Sequence, residues 1–257
     1  GLVCLAVPGT SGLFAQINTD RMMTVGCNAL YFEDYVLSIQ YFNQVINAKP
    51  YLNEPYFYRG VAKLSLEDYV GAENDCSRAI SINPYVVDCY QVRGLARIMQ
   101  GKYADAISDY RTALRRNPEN RPMRHNLILC YLREENPDQA WLEIDTLLRI
   151  APKYTPAMSM RSHLLVERQD TAAALAVLDS ALVIERFDAS LYRDRAMLKA
   201  MTGDYPDAGE DLNMSLRYSP EDAAYYIDRA LVRFYRNNLT GAMADYDIAL
   251  EIEPGNV

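Results

Sequence analysis

Histidine and cysteine are the side chains that a metal site or a nucleophilic enzyme uses most often, and this chain has few of them. Its two histidines, His125 and His163, would need Glu167 or Asn126 as a further ligand to hold a metal ion. No Ser-His-Asp or Cys-His grouping has local support, and glycine-rich phosphate-binding patterns are absent. The sequence therefore predicts no enzyme, no cofactor and no metal site.

The five cysteines, Cys4, Cys27, Cys76, Cys89 and Cys130, show no C-x-x-C spacing. Cys76 and Cys130 occupy helix positions that favour packed side chains, so we interpret them as small buried apolar residues. Cys76 and Cys89 belong to successive predicted helices and would be able to form a disulfide in an oxidising compartment. The sequence leaves that pairing open.

The remaining pattern is a repeat of 34 residues. It is marked by prolines at 50, 84, 118, 152, 220 and 254, with Arg186 in the place of a proline. A period of this size is typical of solenoids, whose units bury their apolar faces by stacking on their neighbours. The pattern predicts a single array of seven repeats: 19–52, 53–86, 87–120, 121–154, 155–188, 189–222 and 223–257. Positions below are counted from the first residue of each repeat.

Repeat three shows what one repeat contains. Residues 88–100 have apolar or small side chains at helical spacing, and Gly101 ends this helix because glycine is unfavourable inside one. A second amphipathic run covers residues 104–115. We expect Gly94 to be small because the two helices approach closely there, with Tyr110 filling the adjoining space. The predicted class is an all-α solenoid of helix pairs.

The repeat resembles the tetratricopeptide repeat. In repeat three the matching residues are Tyr90 (position 4), Gly94 (position 8), Ala106 (position 20), Tyr110 (position 24), Ala113 (position 27) and Pro118 (position 32). Repeats four and five depart most, with Ile128 at the small position and Arg124 or Met158 at the large one. The resemblance implies a right-handed superhelix of antiparallel helix pairs that binds proteins without catalysis.

Charged residues recur at two positions of the repeat. Position 7 is arginine and position 23 is aspartate in four repeats, giving Arg59 with Asp75, Arg93 with Asp109, Arg195 with Asp211, and Arg229 with Asp245. We predict structural ion pairs within each repeat. Pairing of an aspartate with the next repeat's arginine fits fewer repeats. The functional alternative is an arginine ladder that faces a ligand.

The resemblance also implies a peptide-binding groove formed by positions 2, 5, 9 and 12 of each first helix. Repeats one to three then present an apolar strip, and later repeats present polar side chains. The family's clamp for carboxyl termini needs Lys at position 5 and Asn at position 9, and it is absent here. The predicted groove residues are Met23, Cys27, Phe57, Val61, Leu64, Gln91, Leu95, Ile98, His125, Asn126, Arg133, His163, Glu167 and Arg193.

Residues 1–18 precede the repeats and carry no charge. They resemble the back half of a secretory signal with cleavage after Ala15, which favours an exported or periplasmic protein. The alternative is a segment that packs on repeat one or over Met23, Cys27 and Phe57, in a cytoplasmic protein. The stretch is too short and too broken for a transmembrane helix.

The net charge of −8 disfavours nucleic acid as a partner, because a phosphate backbone would be repelled. We predict a scaffold that binds a peptide segment of a protein. The first alternative is the N-terminal docking array of a larger enzyme or signalling protein. The second is a carbohydrate or cell-wall binder, for which Phe57, Tyr58, Phe234 and Tyr235 are the candidate aromatic residues.

The last predicted helix has more apolar surface than one neighbouring helix covers. Its apolar residues include Met243, Tyr246, Ile248, Ala249 and Ile252. Solenoids normally end in a repeat with a polar outer face. We therefore expect either further repeats beyond Val257 or self-association through this end.

Overall fold

The computed structural model describes residues 18–255, and these residues form fourteen α-helices without a β-strand. Two helices lie within each of the seven predicted repeats. In chain order they are α1 (Thr19–Tyr31), α2 (Tyr35–Ala48), α3 (Glu54–Ser65), α4 (Tyr69–Ile82), α5 (Val87–Met99), α6 (Tyr103–Leu114), α7 (Arg121–Arg133), α8 (Pro137–Ile150), α9 (Thr155–Glu167), α10 (Thr171–Ile184), α11 (Ala189–Met201), α12 (Tyr205–Tyr218), α13 (Ala223–Tyr235) and α14 (Leu239–Ile252). None of them is long and apolar enough to cross a membrane.

The chain divides into two compact units. The N-terminal unit ends at Pro118 and contains α1 to α6, and the C-terminal unit begins at Glu119 and contains α7 to α14. In each unit the two helices of a repeat pack together, and the second helix packs on the first helix of the next repeat in that unit. This stacking is that of an α-solenoid, so the predicted all-α class is confirmed.

Small residues at position 8 let the two helices of a repeat approach closely. A Cβ atom added to Gly94 would lie 2.9 Å from the ring of Tyr110, and one added to Gly60 would lie 2.9 Å from Cys76 Sγ. Tyr110 and Cys76 are fully buried against these glycines. Because such distances are shorter than van der Waals contact, alanine in place of Gly94 or Gly60 would force Tyr110 or Cys76 to move.

Repeats four and five fill the same place in different ways. Ile128 stands at position 8 of repeat four and is fully buried, as is Ile144 at position 24. In repeat five the buried Ser162 hydroxyl donates a hydrogen bond to the Ala174 carbonyl at 3.2 Å. These two repeats therefore replace the contact between a glycine and a large side chain with an aliphatic contact or a hydrogen bond.

The turn between the two helices has the same backbone conformation in every repeat. The residue at position 15 has a positive φ in all seven, and it is glycine only in repeats three and six, where Gly101 has φ 73° and Gly203 has φ 84°. In the other repeats a side chain adopts this left-handed conformation: Glu33, Glu67, Glu135, Gln169 and Asn237. L-residues pay about 1 kcal/mol or more there, so the turn geometry prevails over local preference.

Candidate functional site

Four repeats carry a bidentate ion pair between positions 7 and 23. Arg59 Nε and Nη2 donate to the two carboxylate oxygens of Asp75 at 2.8 and 2.5 Å. The same two bonds measure 2.6–3.0 Å in Arg93–Asp109, Arg195–Asp211 and Arg229–Asp245. The aspartate side chains are only 1–7% exposed. Each pair joins the two helices of one repeat, and none of these arginines bonds the residue at position 23 of the preceding repeat.

Each of these aspartates contacts a second cation from position 11. The contacts, at 2.7–2.9 Å, are Lys63 to Asp75, Arg97 to Asp109, Lys199 to Asp211, and Arg233 to Asp245. A tyrosine at position 4 completes the group, with its ring centre 5.6–5.7 Å from the arginine carbon Cζ. We call the residues at positions 4, 7, 11 and 23 the ion-pair hub. Its aspartate balances two half-buried cations, so loss of the aspartate would remove the carboxylate that they share.

The third guanidinium nitrogen of each hub arginine reaches the preceding repeat. Arg59 Nη1 donates to Asn43 at 2.6 Å, and Arg195 Nη1 donates to Asp179 at 2.7 Å. Arg93 and Arg229 make the same bond to Ser77 and Asn213. The partner always stands at position 25 of the preceding repeat. The hub therefore ties adjacent repeats together as well as the two helices of one repeat.

The sequence interpretation missed the partners at positions 11 and 25. The partner at position 11 was readable, because that position is lysine or arginine in the same four repeats that carry the pair. Repeats four and five lack the hub. In repeat four Arg124 at position 4 bonds Glu143 at position 23. In repeat five, Val177 stands at position 23 and Leu165 at position 11.

The predicted apolar strip lies on the first helices of repeats one to three. Helix α1 contacts α3, and α3 contacts α5, so its residues are on neighbouring helices. All eight are half-buried: Met23, Cys27, Phe57, Val61, Leu64, Gln91, Leu95 and Ile98. On its inner side Phe57 packs against a buried cluster of Tyr56, Ala79 and Cys89. The strip is thus backed by core and keeps part of its surface accessible.

The predicted groove residues of the C-terminal unit are polar and partly linked by hydrogen bonds. Arg193 Nε donates to Asp228 at 2.5 Å, and its guanidinium lies 5.9 Å from the Tyr225 ring centre. Asp194 accepts a hydrogen bond from Ser159 at 2.5 Å, and His163 Nε2 lies 3.5 Å from the same carboxylate oxygen. These contacts join α9, α11 and α13. Arg133 and Glu167 are exposed, while Asn126 is half-buried.

The two histidines have opposite electrostatic surroundings. The hydrogen bond with Asp194 raises the pKa of His163, outweighing the effect of its desolvation. Burial alone lowers the pKa of His125, whose Nδ1 lies 3.4 Å from the Tyr154 hydroxyl. The structure places neither histidine in a group of three potential ligands, since residues 18–255 contain no such cluster for a metal ion.

The described cysteines are free thiols. Cys76, Cys89 and Cys130 are buried and Cys27 is half-buried. Burial raises the pKa of Cys89 to about 11 and that of Cys130 to about 12. These thiols are therefore neutral at physiological pH and behave as packed apolar side chains. Cys4 and the predicted export signal lie outside the described residues.

The aromatic candidates for sugar binding differ between the two units. Phe57 and Tyr58 are half-buried and contact each other, with ring centres 5.1 Å apart. Phe234 and Tyr235 are more than half exposed, and Tyr235 stacks on Tyr205 at 5.3 Å. Stacking between helices therefore accounts for two of these rings, Tyr235 and also Tyr58, which stacks on Phe42 at 5.8 Å.

The last helix exposes an apolar face. Within α14, Leu239, Met243, Tyr246 and Leu250 are 40–67% exposed, whereas Ala249 is buried. Their spacing places the four exposed residues on one side of the helix. Self-association through this face stays a prediction.

Comparisons with known proteins agree with this arrangement. Two family models, both described as tetratricopeptide repeat, match residues 97–164 and 193–257. The chain superposes on a tetratricopeptide repeat protein from Parabacteroides merdae ATCC 43184 with a TM-score of 0.77 and 18% identity, covering 93% of this chain and 94% of that one. It is also similar to a chain of the APC/C hetero-tetramer Cut9-Hcn1, with a TM-score of 0.68, 16% identity, and coverage of 95% and 52%.

A third similar structure is that of Pseudomonas aeruginosa PilF, with a TM-score of 0.65, 14% identity, and coverage of 79% of this chain and 93% of that one. No curated protein sequence matches the chain. The chain belongs to the tetratricopeptide repeat family, as predicted. Members of this family are generally non-catalytic scaffolds for interactions between proteins.

Proposed function

We propose that this protein is a non-catalytic scaffold that binds a segment of a partner protein along the apolar strip of α1, α3 and α5. The observation that carries the proposal is the exposure of that strip. Its eight residues, seven of them apolar, are all half-buried on three first helices that contact one another in order. Contiguous apolar surface of this kind usually marks an interaction site.

The chemistry of the strip favours a partner segment with apolar side chains. Phe57 and Val61 are one helical turn apart on α3, and Leu95 lies on the next first helix. An extended or helical segment with apolar residues at regular spacing would cover such a row. Covering it would stabilise the complex by about 25 cal/mol for each Å² of apolar surface removed from water.

The exposed polar groups of the C-terminal unit make a second contact surface in this proposal. Arg133 and Glu167 are exposed and offer charged groups of opposite sign. Such groups affect the rate and orientation of association more than its affinity. The proposal for the apolar strip does not depend on them.

The experiment selects peptides from a random displayed library on the wild-type protein and measures their affinity for two variants. Val61→Glu places a carboxylate in the middle of the strip. Val70→Glu makes the same change at a residue of α4 that is 58% exposed and outside the strip. Circular dichroism would check that both variants remain helical.

We expect the selected peptides to carry at least two apolar residues and to bind Val61→Glu at least about ten-fold more weakly, since a charge must then be buried. Phe57→Glu should have a similar effect, and Val70→Glu should bind like the wild type. Peptides that bind all variants equally would show that the strip is ordinary core between helices.

A further inference from the structure

A pocket of about 430 Å³ lies in the C-terminal unit where α8, α9 and α10 meet. Its lining is mostly apolar and includes Trp141, Leu148, Met158, Leu165 and Val177, with Arg161 as its charged member. The volume is in the range of small-molecule sites. None of the predicted groove residues lines it.

Three residues that line the pocket replace members of the ion-pair hub in repeat five. Met158 replaces the tyrosine at position 4, Leu165 the cation at position 11, and Val177 the aspartate at position 23. In three hub repeats that tyrosine donates a hydrogen bond to the carbonyl at position 32 of the preceding repeat, at 3.1–3.3 Å. Methionine cannot donate that bond, and it fills the space less rigidly than a ring.

Arg161 at position 7 has been kept although its aspartate has gone. Its Nη1 lies 3.3 Å from Asp145, at position 25 of the preceding repeat, and its guanidinium lies 5.1 Å from the Trp141 ring centre. Residues 18–255 provide no other ion pair or hydrogen bond for it. The Nε and Nη2 groups, which grip a carboxylate in each hub, therefore have no protein acceptor.

Repeat six shows that one arginine in this position can hold two carboxylates. Arg195 binds Asp179 through Nη1 at 2.7 Å and Asp211 through Nε and Nη2 at 2.9 and 2.6 Å. Asp145 corresponds to Asp179, so Arg161 can keep its contact and still accept a second carboxylate. A carboxylate matches the planar guanidinium in a bidentate way.

We propose that this pocket binds a small carboxylic acid with an apolar body. The carboxylate of the ligand accepts hydrogen bonds from Arg161 Nε and Nη2, as the aspartate at position 23 does in the hub repeats. The apolar body lies between Leu148, Met158, Leu165 and Val177. Arg168, whose guanidinium is 4.0 Å from the Trp141 ring centre, adds positive charge beside that ring.

Charge complementarity supports an anion, although two acidic residues stand nearby. Asp145 contacts Arg161 with a side chain that is 44% exposed, and Asp138 lies 3.5 Å from Arg168 with a side chain that is 91% exposed. Both carboxylates are well solvated, so they neutralise the arginines weakly. Neither of them lines the pocket.

The test uses octanoate and 4-phenylbutyrate as probes, with octanamide as the neutral match. Trp141 is the only tryptophan of the chain, so its fluorescence reports on the pocket, and ligand-observed NMR provides a second measurement. We expect octanamide to bind the wild type about ten-fold or more weakly than octanoate does. The variant Arg161→Gln should weaken octanoate binding to the same extent, because in both cases a charge-assisted hydrogen bond is lost.

The decisive variant is Val177→Asp, which supplies the carboxylate of the hub from within the chain. It should abolish octanoate binding, whereas Val183→Asp, on the same helix at a residue that is 71% exposed, should leave binding within about two-fold of the wild type, because an exposed surface change has little effect. Circular dichroism confirms the fold of each variant. Equal binding of acid and amide, binding that survives Val177→Asp, or no binding by either measurement would overturn the proposal.

Discussion

Repeats five and six are neighbours in the C-terminal unit and have helices of equal length, but they satisfy the arginine at position 7 differently. Arg195 in repeat six has two carboxylates and shares one of them with Lys199. Arg161 in repeat five has one solvated carboxylate and an indole ring. The helix pair therefore folds around either a buried charge cluster or an apolar contact.

The two repeats differ at positions 4, 11 and 23 together, and a physical reason connects the changes. Without Asp211, the ammonium group of Lys199 would have no carboxylate to neutralise it inside the repeat. A repeat with valine at position 23 is therefore more stable with leucine than with lysine at position 11. Repeat five has that combination, Val177 with Leu165. In repeat five, positions 4, 11 and 23 of the hub are changed together, while the arginine at position 7 is kept.

The largest effect should follow from removing the anion of repeat six alone. We expect Asp211→Leu to lower the free energy of unfolding by about 3–5 kcal/mol, because it leaves Lys199 uncompensated and Arg195 with only the solvated Asp179. The double variant Asp211→Val with Lys199→Leu reproduces the pattern of repeat five and should cost less. Urea denaturation followed by circular dichroism measures both.

The same comparison applies to repeat three, where Asp109→Leu should cost more than the double change of Arg93 and Asp109 to leucine. Additive effects of the single changes would show that the pairs are only a surface preference.

Local stability should differ within the C-terminal unit. We expect amide hydrogens of residues 121–188, repeats four and five, to exchange faster than those of repeats six and seven, which carry the hub. The pocket between α8, α9 and α10 removes packing from the earlier pair. Hydrogen exchange monitored by mass spectrometry would resolve this. If residues 121–188 were the best protected part, the hub would not control stability.

The turns of the two repeats provide a smaller and opposite pair of effects. Gly203→Ala in repeat six should cost about 1 kcal/mol, because alanine is unfavourable at a φ of 84°. Gln169→Gly in repeat five, at a φ of 62°, should stabilise by up to about 1 kcal/mol. Thermal unfolding of both variants measures the difference. The same sign for both would mean that backbone strain is not the cause.

The smallest effect concerns the link between repeats five and six through His163. Its folded-state pKa is raised by Asp194, so its contribution to stability is full below the unfolded pKa and is lost as pH rises through the folded pKa. Burial lowers the pKa of His125, whose contribution is instead lost as pH falls below its unfolded value.

We therefore expect His163→Gln to remove the decline in stability above about pH 6.5, the unperturbed histidine pKa. His125→Gln is the control and should remove a decline on the acid side. The histidine side chain of residue 163 is 60% exposed, so solvent screening keeps its effect small. An unchanged pH profile in both variants would contradict these assignments.

Much of the fold could be predicted from the sequence because the same pattern of residues recurs in each repeat. The helix predicted over residues 88–100 is observed as Val87–Met99, and the run over 104–115 as Tyr103–Leu114. Gly94 against Tyr110 followed from the need for close packing. Because the pattern recurs at fixed spacing, the helices can be recognised even where a single repeat departs from it.

The remaining features depend on distances between repeats or on the absence of a side chain. The bond from Arg59 to Asn43 joins two repeats, and spacing within one repeat cannot reveal it. The pocket beside Arg161 lies where the tyrosine, the cation and the aspartate of the hub are all missing. A search for the repeat pattern reads these three changes only as a poorer match to the repeat. Glu135 and Gln169 adopt positive φ against their own preference, so local propensity does not predict their turns.

The hub arginine stands midway between its partners, sixteen residues after one and sixteen before the other. Because these partners stand at fixed positions of the 34-residue period, the chain can change its length in whole repeats. If residues 189–222 were deleted, Asp179 would lie sixteen positions before Arg229 and would take the place of Asn213. Asp179 would then bond Arg229 across the new junction, as it bonds Arg195 in the present chain. Insertions and deletions of a full period thus preserve the charge pattern, and any other length destroys it.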